Sequence, residues 1–296
     1  FTTNSTVAST TNITAGTITT TTNLTNNQAK YMNGSVWISA AGAAGTTSYT
    51  NGIITNPVTG MSDAKSIADN LLIKKFYAQA GTTLTLIATM SSYVFDGFNW
   101  ILALGAQAIS NSTFMNCQSV TGTSSSSGPT AYVFWVNCEF GVATIPASNL
   151  QHCRFNDSTT GVTLVGGGNY DFVDCCSSVA GSSAPRINVN SVAGTNLSFR
   201  RWSGGLKLAG LAADTVVSID VVSGGTITLE GNAGANVSIR GMVTAITNTA
   251  GCTVTRTAVL NQTEIATPTN ITAGTITTVS GNVTLTFNNN VSVSGG

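Results

Sequence analysis

The chain has 296 residues, of which only 11 are basic and 11 acidic, a charged share of 7%, where ordinary soluble domains carry roughly a quarter. Ser and Thr together number 79, with 31 Gly against 5 Pro. A net charge of zero with 42% apolar residues argues for a folded chain rather than a charged, disordered one. It also leaves no basic surplus for nucleic acid. The longest apolar stretch, residues 93–109, is broken by Asp96, Asn99 and Gln107, so no membrane insertion is expected. One histidine, His152, and cysteines without a C-x-x-C pair point to no metal site and no cofactor.

Residues 1–36 hold one charge, Lys30, and alternate around Ile13 and Ile18 with the two-residue period of a strand. They read as a Thr/Asn-rich β stem or attachment segment. The ten residues TNITAGTITT at 11–20 recur unchanged at 269–278, so both ends carry related β units. Residues 37–72 read as an irregular hairpin region, with Asn51-Gly52 as a tight turn, followed by one helix at 62–72. Ser62 is its expected N-cap, with Asp63 in the first turn and Ala64, Ile67, Ala68, Leu71 and Leu72 at helical spacing. Such a helix would cover the open end of a sheet.

From residue 73 to about 260 the chain repeats an apolar-x-x-apolar unit. It occurs at Phe95–Phe98, Phe114–Cys117, Trp135–Cys138, Leu150–Cys153, Phe172–Cys175, Phe199–Trp202, Ile219–Val222 and Ile239–Met242, with Phe76 a weaker earlier member. Most spacings are 19 to 22 residues; 15 precede Leu150 and 27 precede Phe199, where a Gly/Ser-rich run at 179–184 reads as a loop insertion. A period near twenty suits one coil of a parallel β-helix. The expected fold is therefore all-β: a right-handed, single-stranded parallel β-helix over 73–260, capped by the helix. A Thr-rich β segment follows at 261–296.

In this frame Cys117, Cys138, Cys153 and Cys175 stack in one inward column with unlinked sulfurs, and Trp202, Val222 and Met242 continue it. The preceding residues, Asn116, Asn137, His152, Asp174 and Arg201, form a polar ladder at a coil corner. Glu139 and Arg154 face each other on neighbouring coils. Asp220 is expected between Arg200 and Arg240.

Several stretches, taken in order, resemble a family of uncharacterised phage tail-fibre and minor virion structural proteins. They are TNG at 50–52 with NPV at 56–58, NLLIKKF at 70–76, GTTLTL at 81–86, WILALG at 100–105, VAGSSAP at 179–185 and FRRWSGG at 199–205. The resemblance covers about three quarters of the chain and implies a place, the extracellular virion surface, rather than a reaction. It brings no catalytic residues. It implies a fibre or spike contacting the host surface or its polysaccharide, alongside other virion proteins. By analogy with phage fibres the chain would form a homo-oligomer of three copies, with strand-rich flanks ordered by partner chains.

Two other readings stay open, a polysaccharide-cleaving tailspike and a bacterial surface adhesin. Glycoside hydrolysis needs two carboxyl groups facing one cleft, and the least accounted-for pair is Asp171 and Asp174; no enzyme activity is expected from them. For glycan contact the open aromatic candidates are Trp37 and Trp100, since Trp135 and Trp202 fall at core positions of the repeat.

Overall fold

The computed structural model describes residues 31–257 except 127–129, 180–182, 191–192 and 232–233. The expected flanks at 1–30 and 261–296, both copies of TNITAGTITT and the last residues of the expected solenoid lie outside the described residues. All described residues belong to the first of two compact units, Phe1–Ala258 and Val259–Gly296.

The described chain is a right-handed parallel β-helix of about nine turns with a single α-helix. Its long first sheet is in register down one inward column: Val36, Phe76, Phe95, Phe114, Trp135, Leu150, Phe172, Phe199, Ile219 and Ile239 are successive Cα partners. The first apolar position of the repeat is thus the core column from end to end. Neighbouring strands lie about 4.8 Å apart, which is also a stacking distance for aromatic rings. Phe95 and Phe114 stack at 4.8 Å with planes 9° apart, Phe114 and Trp135 at 4.5 Å and 17°, and Phe172 and Phe199 at 4.3 Å and 8°. Leu150 interrupts the stack, where Trp135 instead meets the edge of Phe140. A second inward column runs Leu84, Leu102, Val120, Phe140 and Phe155.

After the first strand, six successive coils turn through one residue in the left-handed region. Asn99, Asn116, Asn137, His152, Asp174 and Arg201 have φ between 47° and 59°, a conformation most open to Asn, Asp and His among non-glycine residues. The expected polar corner is therefore real, with Asn99 as a sixth member. Its backbone is continuous: the N–H groups of Asn116, Asn137, His152 and Asp174 donate to Val136, Gln151, Val173 and Arg200 carbonyls on the next coil, each at 2.9 Å. Its side chains link as well, with Asn137 Nδ2 donating to Asn116 Oδ1 at 2.9 Å and Asn116 Nδ2 to Asp96 Oδ1 at 3.0 Å.

The residue after the corner points inward. Cys117, Cys138, Cys153 and Cys175 are buried and unlinked. Their neighbours in the column are Trp100, paired with Cys117, and Trp202, paired with Val221. Three expected members are wrong. Phe98, Val222 and Met242 are exposed, because Asn99 turns the chain two residues after Gly97, and because the coil of Ile219 has no left-handed residue and reaches the column one position sooner, at Val221. One coil on, Gly241 takes φ 96°, where a Cβ would collide with the Val221 carbonyl.

The solenoid begins earlier than the repeat suggested. Ser35–Ala43 is not part of a hairpin; it pairs in parallel with Lys75–Ala78, with Val36 and Ile38 inward. The cap is inserted between these two rungs. The helix is Met61–Leu71, capped by Gly60 without a side-chain bond, so Ser62 is not the N-cap. Asp63 instead accepts the Gly45 N–H at 2.8 Å. Ala64, Ile67 and Ala68 are fully buried with Val58, closing the end of the core.

Phe114 has stacked rings on both sides and no exposure, so Phe114→Ala is expected to cost about 3–5 kcal/mol by denaturant titration. The thiols carry a second expectation. Burial pushes the Cys117 and Cys153 thiols well up, and Cys138, Cys153 and Cys175 each donate to backbone carbonyls. Titration of the denatured chain without reductant should count six free thiols.

Candidate functional site on the outer face of the long sheet

Strand side chains alternate, so the residues on either side of the core column look outward. One position before it, Phe134, Asn149, Asp171, Ser198, Ser218 and Ser238 follow each other on successive rungs. One position after it come Val136, Gln151, Val173 and Arg200. Beyond a register shift follow Asp220 and Arg240.

Phe134 is 42% exposed, although its neighbour Trp135 is fully buried. The half-buried Tyr132 ring meets it edge-on at 5.3 Å and 81°. Two hydrogen bonds lie across the face: Gln151 Nε2 donates to Asn149 Oδ1 at 2.9 Å, and the Tyr132 hydroxyl donates to Asp171 Oδ2 at 3.3 Å. Burial, and then the Asp171 charge, hold the Tyr132 hydroxyl above its ordinary pKa, so it stays a donor at neutral pH. Asp171 Oδ1 lies 3.9 Å from an Arg200 guanidinium nitrogen, too far for a hydrogen bond.

Arg200 also begins a shallow groove of about 240 Å3, lined further by Ser218, Asp220, Ser238, Arg240 and Thr257. Asp220 is gripped by Arg240 at 2.8 Å. The three expected charges do share one face, but Arg200 turns to Asp171 rather than to Asp220. The left-handed corner at Arg201 shifts the register between Phe199 and Trp202 and carries Arg200 away. Glu139 and Arg154 pair across adjacent rungs at 3.2 Å, as their positions in the repeat require.

Asp171 and Asp174, the candidate carboxylate pair, each have their own arginine. Asp171 stands on the sheet face beside Arg200; Asp174 stands at the corner, hydrogen-bonded to Arg201, which holds its carboxyl below the usual range. Of the two aromatic candidates, Trp100 is a correction. It is fully buried in the cysteine column, with Nε1 donating to the Met115 carbonyl at 3.0 Å, and can meet no sugar. Trp37 is half-buried on the outer face at the capped end, 4.2 Å from the Tyr77 ring. Among the described residues no three His, Cys, Asp or Glu side chains converge on a metal position. No helix there is long and apolar enough to cross a membrane.

No protein-family model matches the chain, and neither does any curated protein or solved structure. Tyr132, Phe134, Asn149 and Gln151 are the face residues that sequence reading missed. One signal was present: Phe134 adjoins the core residue Trp135, and strand alternation sends one of any two adjacent side chains outward.

Side chains on the solvent-facing side of the sheet should contribute little to folding. Phe134→Ala is expected to change stability by no more than about 0.5 kcal/mol. Tyr132→Phe should cost about 1 kcal/mol through one lost hydrogen bond. Denaturant midpoints check both, and a larger loss at Phe134 would make the face structural.

Proposed function

We propose that this chain is a structural protein of the phage virion surface, part of a fibre or spike that projects from the particle and contacts the host cell surface. The observation that carries this reading is the in-register parallel ladder from Ser35 to Thr257, a rod whose surface offers hydroxyl and amide groups with little charge. The order of motifs shared with phage tail-fibre and minor virion proteins supports the same place. Three copies form the working assembly.

Antibodies raised against the folded solenoid test the role directly. They are expected to label purified particles of the phage that encodes the chain and to slow their adsorption to host cells. Labelling confined to the envelope of phage-free bacteria would overturn the reading in favour of a surface adhesin. Sedimentation of the full chain at micromolar concentration should give three copies of 30.2 kDa, and a stable monomer would overturn the assembly.

A further inference from the structure

We propose that the outer face from Phe134 to Arg200 is a binding site for a linear, uncharged polysaccharide lying along the solenoid axis. The inference rests on the surface-contact reading above and names the site and the ligand class.

A pyranose ring has an apolar C–H face and a rim of hydroxyl groups, each both donor and acceptor. The face supplies a counterpart to each. Phe134 is an aromatic plate standing out of the sheet, with its indole neighbour Trp135 locked in the core beneath. One rung on, the Gln151 amide donates to the Asn149 amide oxygen and the two side chains hold each other. Two and three rungs on, Asp171 Oδ1 and the Arg200 guanidinium stand 3.9 Å apart, an acceptor and a donor side by side with no hydrogen bond between them. The Arg200 guanidinium makes no hydrogen bond among the described residues, and two adjacent hydroxyls can satisfy both groups at once. The Tyr132 bond to Asp171 and the Gln151 bond to Asn149 hold these groups in place before any ligand arrives, which lowers the entropy cost of binding.

Charge and length select the ligand. Asp171 lies against Arg200 and Asp220 against Arg240, so the carboxylates and guanidinium groups along the face cancel and no field favours a polyanion. From Phe134 to Arg200 is three rungs, about 14 Å at 4.8 Å per rung, a span for several linked sugars rather than one. The straight register of the outer columns sets the chain direction along the axis.

The test uses the full chain in affinity electrophoresis through gels containing dextran, amylose, mannan or galactan, with alginate and polygalacturonate as charged comparisons. At least one neutral polymer is expected to retard the chain, with retardation unchanged between low and half-molar salt. Phe134→Ala and Asn149→Ala should each weaken it about tenfold. Phe98→Ala, at an aromatic off this face that is more exposed than Phe134, should leave it unchanged, and unaltered denaturant midpoints show that each variant is folded. Absence of retardation by every neutral polymer, salt-sensitive binding to the acidic ones alone, or retention that survives Phe134→Ala overturns the site. The virion reading fails by a different result. A chain that labels particles but ignores these polymers loses only this site, whereas one that binds them yet labels only bacterial envelope keeps the site and loses the virion role.

Discussion

The left-handed corner is the constraint on which the rest of this solenoid depends. A parallel stack holds its register only if every coil turns at the same height, and here one residue per coil does the turning from Asn99 to Arg201. An L-residue in that conformation costs about 1–2 kcal/mol, and the chain offsets this in two ways. The N–H groups of Asn116, Asn137, His152 and Asp174 donate to carbonyls of the next coil, and the side chains of Asn116, Asn137, Asp174 and Arg201 bond along the stack. His152 belongs to this series, with a φ of 54°.

Fixing the corner fixes which way every neighbouring side chain points. The residue after it enters the core, and four cysteines fill that position between Trp100 and Trp202 at its two ends. Parallel stacking keeps them apart as a column of thiols that bond to carbonyls of the coil beneath. The residues before it alternate in and out, so the same short strand that buries Phe172 presents Asp171 and Val173. Core and contact face are two readings of one alternation, and a substitution at an inward position cannot be compensated from the outer face.

Much of the architecture was legible because the repeat is carried by core residues. The column from Phe76 to Ile239 matches the register rung for rung, including the short interval before Leu150 and the long one before Phe199. The errors fall where the corner changes. Phe98 and Val222 were placed in the column by counting three residues, but a coil with an extra turn before Asn99, or with no left-handed residue after Asp220, shifts that count. Trp100 was misread as an open aromatic for the same reason: it holds the position that the count gave to Phe98. The first rung, Ser35–Ala43, was hidden because the capping helix separates it from its partner strand. The contact face was the least visible, since outward residues follow no periodic apolar signal. Phe134, Asn149 and Asp171 share a line only once three coils are superposed.

The low charge of the chain acquires a physical reason in this geometry. Every outward position is repeated about 4.8 Å above and below by the next coil, so like charges in one column would repel at each step. Opposite charges on adjacent rungs solve this, as with Arg154 and Glu139 or Arg240 and Asp220, but each such pair constrains two positions at once. Hydroxyl and amide side chains carry no such coupling. Ser198, Ser218 and Ser238 succeed one another in a single outer column without penalty, and Asn196 and Asn169 bond amide to amide beside them. A stacked solenoid with a solvent-facing sheet is therefore driven toward a surface rich in neutral donors and acceptors. An exposed aromatic such as Phe134 stands out against that background, because neither the core nor the charge ladder requires it.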